Sequence, residues 1–386
     1  MITCVFYDPR VDWVAGAPNG CTITPAGSYV RTITPDAYGQ RISAFGGYDT
    51  AQMQMNTQTD WLEDWAYRGL GRHVEVYQDV TRCWEGFVNQ ITIVMGAVTV
   101  VIGPFLEICN SADGEYKRVY TGTNPPATGA SRFAGIVEDD ASQRRYGIRR
   151  HMLSLGAVQD TEAVQAVERW VANRAWPSSQ KTLSTTAARA SVLQLDLLGY
   201  VHRMDYPYYA ESDTTVSLSS KIETVLDACP DGLFSSANAD IATNALAVAE
   251  NDDQYRSGLV ILRELVQLGD AAGNRYVFSV GNDRKIVYRP VSDMVRYTTS
   301  LMDGNGTIRE IMGQTVAPAL VRAGEWLAIT DLFFPPSTIF GNRDAMRDMF
   351  IEQVDYQLPA DLSLNGAKTV SVYNKLAKLG LRGESA

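Results

Sequence analysis

Between residues 41 and 110 the chain alternates in type. Gln52, Gln54 and Asn56 alternate with Met53 and Met55, Glu75 separates Val74 from Val76, and Val98, Val100 and Ile102 share one side of a later run. A period of two cannot keep one face buried on a helix of about 3.6 residues per turn, so these segments predict half-buried β-strands. The strands read this way are Ala51 to Asn56, Arg72 to Tyr77, Trp84 to Ile93 and the run from Val98, with Met95-Gly96 as the turn before the last. Trp61 to Tyr67 (WLEDWAY) predicts a short helix between the first two. Strands of this length and spacing point to a closed or nearly closed β-barrel.

The remaining segments read less uniformly. Residues 1–40, rich in Gly, Pro, Asn and Thr, predict turns between short strand-like pieces at Cys21 to Thr24 and Tyr29 to Thr34. Residues 111–135 hold Asn124-Pro125-Pro126 and several glycines and predict loop. Asp160 predicts an N-cap for a helix with one apolar stripe, Ala163, Val164, Val167, Trp170 and Val171, ended by Trp176-Pro177. The β pattern resumes from Ser191 to Tyr200, which makes that helix an insertion between strands. Ser217 to Asp227 predicts a second helix, stopped by Pro230, and residues 252–269 a third, closed by Gly269. A hairpin follows, Tyr276 to Val280 and Ile286 to Tyr288, turning at Gly281-Asn282-Asp283. From 305 to 375 the pattern is β again, with strands after Arg322-Ala323-Gly324, at Met349 to Tyr356 and at Lys368 to Tyr373. Gly380 to Ala386 predicts a loose tail.

Composition narrows the function. A chain of 386 residues with 45% apolar and 20% charged residues has material for more than one core. Its net charge of −10 argues against nucleic-acid binding as the main task, because phosphate binding draws on Lys and Arg. Such a surface serves solubility, and it would also keep DNA from sticking to a conduit. Five widely spaced cysteines, Cys4, Cys21, Cys83, Cys109 and Cys229, form no CxxC and predict buried thiols in a reducing cytosol rather than a disulfide framework. The N-terminal MITCVFYDPR shows no secretory pattern, and the longest apolar run, Ile91 to Ile102, is interrupted by Gly96 and too short to span a bilayer.

Motifs for chemistry are absent from the sequence. His73, His151 and His202 stand at no metal-ligand spacing, and there is no GxSxG elbow or Walker A loop. Gly69-Leu70-Gly71 lacks the third glycine of a dinucleotide fingerprint. Asp303 to Gly306 resembles part of a calcium loop without its remaining ligands, and Asn305 to Thr307 is a glycosylation sequon in letters only. Glu138-Asp139-Asp140 could be a cation site or a carboxylate pair, but a solvated acidic loop is the commoner outcome. Arg144, Arg145, Arg149 and Arg150 could touch phosphate or a neighbouring subunit, or form an ordinary salt-bridged face. No catalytic, cofactor-binding or metal-ligating residue is assigned, and no cofactor is expected.

Three runs taken in order, Gly47 to Met55 (GYDTAQMQM), Leu70 to Asp79 (LGRHVEVYQD) and Trp84 to Val88 (WEGFV), resemble the first barrel of tailed-phage baseplate hub proteins. Arg145 to Arg150 with the helix up to Trp176-Pro177 resembles the helical insertion of related tail proteins, and Leu198 to Tyr200 its return strand. Asn274 to Tyr276, Asp283-Arg284 and Tyr288 to Pro290 resemble the intervening module. Val316 to Trp326 and Phe350 to Tyr356 resemble a second hub barrel.

The resemblance implies an α+β, mainly β fold with two tandem tube-like β-barrel domains, a helical insertion and a small α+β module between them. The expected boundaries are 1–110 plus 185–212 for the first barrel, 111–184 for the insertion, 213–300 for the module, 301–376 for the second barrel and 377–386 for a flexible tail. It further implies a ring of three subunits that adapts a sixfold tail tube to a threefold tip. Tail-tube or distal-tail protein would lie above it and tip, spike or fibre protein below. DNA would pass without specific binding, and no membrane insertion is expected. The expected location is the virion tail, after assembly in the host cytoplasm. The competing readings are a hexameric distal-tail ring, a tail-associated cell-wall-degrading enzyme and a glycan-binding module.

Overall fold

The structure, a computed structural model, describes residues 1–14, 21–57, 59–120, 122, 127–186, 190–209, 214–249, 255–300, 307–329, 348–358 and 361–367. The first stretch contains β1 (Ile2–Trp13), β2 (Cys21–Ile33), β3 (Ala37–Ser43), β4 (Phe45–Asn56), α1 (Thr59–Arg68), β5 (His73–Gln78), β6 (Thr81–Met95) and β7 (Val98–Ile102). Next come β8 (Ser111–Tyr120), β9 (Ala127–Phe133), β10 (Val137–Glu138), α2 (Asp140–Tyr146), β11 (Arg150–Val158), α3 (Asp160–Arg174), β12 (Ser179–Leu183) and β13 (Val192–Gly199). Then follow β14 (Thr215–Ser217), α4 (Leu218–Asp227), β15 (Asp240–Ile241), β16 (Ala247–Ala249), α5 (Gly258–Leu268), β17 (Tyr276–Val280) and β18 (Ile286–Pro290). The last are β19 (Arg296–Thr299), β20 (Ile308–Glu310), β21 (Trp326–Ile329), β22 (Asp348–Leu358) and β23 (Asp361–Ala367). The fold is α+β and mainly β.

β13 is the best example of how alternation makes the sheet. Leu193, Leu195 and Leu197 are buried while Gln194 and Asp196 point the other way. The strand lies between β4 and β6, so each leucine meets an apolar partner on both sides: Leu193 between Met55 and Ile93, Leu195 between Met53 and Ile91. Each buried leucine contributes about 2–3 kcal/mol.

The main ladder runs β2-β1-β5-β6-β13-β4-β3-β22-β23. It branches where long strands change partners: β6 to β7 and β12, β4 to β17 and β18, β22 to β21, β19 and β20. The ladder curls. Cys83 of β6 donates from Sγ to Gln40 Oε1 of β3 at 3.7 Å, although two strands separate β6 from β3. A 3-10 turn, Pro318–Leu320, fills the gap between β3 and β5, with Gln78 Oε1 accepting from the Ala319 N–H at 3.1 Å and Gln40 Nε2 donating to the Ala319 carbonyl at 3.2 Å. Among the described residues the pairings form an open, branched path, so the curled sheet is not a closed barrel.

One core serves most of the chain. It runs from Phe6 and Trp84 through Leu195 to Leu262 and Val354, so the 213–300 and 301–376 segments share it with 1–110. The insertion has its own small core, in which Val167 and Val171 of α3 pack on Cys109 and Ala112 beside a separate sheet of β8 to β11.

Several sequence expectations change here. Residues 1–40 hold two long paired strands, β1 and β2, rather than turns with short pieces. Residues 111–135 contain β8 and β9 rather than loop alone. The N-cap of α3 is Gln159, in a capping box with Glu162, so Asp160 is already helical. Val164 is exposed, and the buried stripe is Ala163, Val167 and Val171. α5 begins at Gly258, later than residue 252, with Ser257 as its cap. β23 was not anticipated. Lys368 to Tyr373, the 380–386 tail and the Asp303 to Gly306 turn lie outside the described residues.

Candidate functional site

The curled sheet has one apolar face in the core and one polar face. On the polar face of β6, β13, β4, β3 and β22 the register aligns side chains in rows. Gln90 and Gln52 flank Asp196, and Thr92 and Gln54 flank Gln194. Arg41 stands opposite Asp355, and Ser43 opposite Gln353. Arg41 Nε donates to Asp355 Oδ1 at 2.8 Å, Gln353 Nε2 to Asp355 Oδ2 at 2.6 Å, and Gln90 Nε2 to Asp196 Oδ2 at 3.3 Å. A shallow depression of ≈ 340 Å³ lies between Arg41, Gln52, Asp196 and Gln357. Burial raises the Asp196 pKa, against the opposing hydrogen bond from Gln52. Such a surface, mostly amides with more carboxylates than cations, offers hydrogen bonds but no cluster of cations for phosphate.

At the end of this sheet lies a buried charge cluster. Glu85 accepts from Arg82 Nη1 at 2.7 Å, from the Asp283 N–H at 2.6 Å and from Arg284 Nη1 at 3.0 Å. Arg82 also lies 3.0 Å from Glu75 and 2.9 Å from Asp283. Asp283 and Arg284 both have positive φ, 56° and 59°, a left-handed backbone that side chains disfavour. The hydrogen bonds to Glu85 hold that turn against its strain. His73 joins the same cluster: its Nδ1 is 2.9 Å from the Tyr200 hydroxyl and its Nε2 is 3.6 Å from Glu75. Burial would raise the Glu75 pKa, but hydrogen bonds from His73 and Tyr77 and the charge of Arg82 outweigh it and bring the group down to about 2.

The other residues singled out in the sequence are dispersed. His202 Nε2 is 2.9 Å from Asp49 Oδ1, and burial and the nearby Arg149 charge lower the His151 pKa. Asp139 caps α2 by accepting from the Ser142 N–H, Glu138 accepts from Ser111 and Gln143, and Asp140 opens the helix, so the acidic triplet is a capped helix start. Arg144 stacks over Trp13 at 4.5 Å, Arg145 donates to the Tyr67 carbonyl, Arg150 donates to Ser111 at 3.4 Å and Arg149 is buried. All five cysteines are free and buried, and burial pushes the thiols of Cys21, Cys83 and Cys229 up to about 12. No group of three or more potential ligands converges on a metal-sized site among the described residues. None of their helices is long and apolar enough to cross a membrane. Sequence reasoning missed the Glu85 cluster, because Asp283 and Arg284, 198 and 199 residues on, complete it, and it missed the polar rows, of which only the β4 alternation was legible.

No protein-family model matches the chain, and no curated protein matches it. Among solved structures it is similar to the 43 kDa tail protein of prophage MuSo2 from Shewanella oneidensis, at 7% identity over 96% of this chain and 97% of that one, with a TM-score of 0.42. It is also similar to the tail protein from Neisseria meningitidis MC58, at 9% identity over 92% of each chain, with a TM-score of 0.36. At TM-scores this low, neither likeness carries an argument about this chain.

Proposed function

We propose that the chain is a non-enzymatic structural subunit of a tailed-phage tail tip, a hub-like ring protein located in the virion tail. The observation that carries this reading is the polar face five strands wide, backed by one continuous core. Its amides and carboxylates suit the wall of a DNA passage, because they wet the surface without holding phosphate. The buried carboxylates Glu75 and Glu85 support the same reading, since their hydrogen-bond and ion-pair partners include arginines and a tyrosine of the fold itself. The order of the sequence motifs adds the hub assignment: three copies in a ring, two tube-like segments each, tail tube or distal-tail protein above and a tip, spike or fibre protein below.

A hexameric distal-tail ring is the second reading. It is favoured by the antiparallel pairing of β3 with β22, which draws both expected barrels into one curled sheet beside the separate insertion. Native mass spectrometry separates the two, on the chain alone and with its tail partners. A species of three 42.5 kDa copies supports the hub, and one of six supports the distal-tail ring. A monomer that persists with every tail partner present overturns both. Zymography on cell wall tests the non-enzymatic assignment, and a cleared band overturns it.

A further inference from the structure

Where the insertion meets the main body, three aromatic rings from three separate segments stand in a row at the surface. Phe133 ends β9, Tyr209 follows the 3-10 turn Tyr200–Met204, and Tyr255 precedes α5. The Phe133 and Tyr255 rings have centroids 5.2 Å apart and a tilt of 48°; those of Tyr255 and Tyr209 are 5.5 Å apart with a tilt of 39°. Phe133 is 45% and Tyr209 53% exposed, and Tyr255 between them is partly exposed.

The central ring is held at a cost to the backbone. Tyr255 has a φ of 61°, in the left-handed region that a bulky side chain disfavours. Two backbone hydrogen bonds keep it there. The Tyr208 N–H donates to the Arg256 carbonyl at 2.8 Å, and the Tyr255 N–H donates to the Tyr208 carbonyl. Strain spent on rings that stay half open to solvent points to a ligand for them.

Acceptors lie beside the row. Phe133 stands opposite Glu115 of β8, and Ser154 of β11 stands beside Glu115, so these side chains share one face of the insertion sheet with Asp113. The other face belongs to α3, where Gly114 makes room for Leu155 and Val167. Burial, the adjacent Tyr209 and then the charges of Asp113 and Glu115 raise the Tyr255 pKa, so both carboxylates lie within electrostatic reach of its hydroxyl. Asp113 Oδ1 accepts from the Gly114 and Gly135 N–H groups at 2.7 and 2.9 Å. Asp113 Oδ2 and the Glu115 carboxylate have no hydrogen-bond partner among the described residues.

A pyranose matches this pairing, with an apolar C–H face for a ring and a rim of hydroxyl donors for a carboxylate. A purely apolar segment would desolvate the two carboxylates without pairing them, and an anionic ligand would meet like charge. We propose that the row binds an uncharged oligosaccharide, with sugar faces on Phe133, Tyr255 and Tyr209 and hydroxyls donating to Asp113 and Glu115. The site adds a glycan contact to the chain and does not depend on the ring order proposed above.

The test uses the full chain and titration calorimetry with cellotetraose, chitotetraose and maltotetraose, and with tetragalacturonate as the charged comparison. At least one neutral tetrasaccharide should bind with a Kd of about 1 mM or tighter, and tetragalacturonate about tenfold more weakly. Tyr209→Ala should lose about tenfold in affinity with a thermal midpoint within ~2 °C of the parent. Tyr255→Gly suits the left-handed backbone, so it should melt as the parent does and lose the same affinity. Tyr67→Ala, which removes an exposed ring outside the row, should bind as the parent does. Failure of all three neutral sugars to bind overturns the proposal, as does parental affinity in Tyr209→Ala and Tyr255→Gly. Equal affinity for tetragalacturonate overturns the role given to the carboxylates. If no sugar binds and Tyr209→Ala instead loses a tail partner in native mass spectrometry, the row is a protein contact and the glycan assignment falls.

Discussion

Glu85 accepts hydrogen bonds from Arg82 beside it on β6 and from Asp283 and Arg284 in the hairpin turn, so one buried carboxylate fixes two segments far apart in sequence. Replacing it with alanine would leave Arg284 without its carboxylate, leave Arg82 with only Glu75 and Asp283, and release the strained turn. Glu85→Ala is expected to cost about 3–5 kcal/mol in urea unfolding, and Glu85→Gln clearly less, because the amide oxygen can still accept from Asp283. Glu75, in the same cluster, sets a pH dependence. Its folded pKa of about 2 lies below the ordinary value of 4.5, so its stabilisation is present above pH 4.5 and is lost as pH falls through 2. The parent should therefore lose stability across that acid window, and Glu75→Gln should show a flatter profile when unfolding is measured at a series of pH values. An equal slope in both would assign the acid sensitivity to other carboxylates.

At the scale of elements, Glu325 is expected to make the β19–β21 pairing pH-dependent with the opposite sign. It lies just before β21, nearly buried; desolvation raises its pKa to about 7, while the Tyr297 hydroxyl and Arg322 act to lower it. A raised carboxylate pKa means stability present below 4.5 and lost as pH rises through about 7. Amide exchange at Tyr297 to Thr299 and Trp326 to Ile329, corrected for intrinsic rates, should thus be faster at pH 8 than at pH 5, and Glu325→Gln should remove the difference. Elements differed in how far the sequence revealed them, for physical reasons. β13 was legible because Leu193, Leu195 and Leu197 alternate with Gln194 and Asp196 between two sheet partners. β1 and β2 were not, because Pro9, Pro25 and Gly27 break the pattern where the strands shift register between Asp8 and Arg10. Gly27 is required there, since a Cβ would come within 2.7 Å of the Arg10 nitrogen and the Asp8 carbonyl oxygen. β8 was read as loop because it pairs in parallel with β11, some forty residues on, and its Gly114 makes room for Leu155 and Val167. No local pattern encodes a partner at that separation. The candidate site divides in the same way: alternating glutamines in β4 marked one polar row, but only the tertiary register joined it to Asp196, Arg41 and Asp355.

For the whole molecule, the polar face has two possible surroundings, and they make different demands on charge. A face lining a passage has water and DNA opposite it, so single substitutions there are tolerated by the fold and by the ring. A face buried between subunits is matched to a partner, so new charges would break the assembly. Gln52 and Gln54 are exposed on β4 and stand opposite Asp196 and Gln194. Converting both to lysine should leave the unfolding free energy within about 0.5 kcal/mol per site, since neither contributes to the core. If the face lines a passage, the double variant should form the same oligomer as the parent in native mass spectrometry. It should also retain double-stranded DNA that the parent does not, with an affinity that falls steeply as salt is raised. If the lysines instead dissolve the oligomer while the monomer stays folded, the face is an intersubunit contact, and the passage must lie against another surface of the ring. The two outcomes read different properties, DNA retention and oligomeric mass, so one preparation of the variant decides between them.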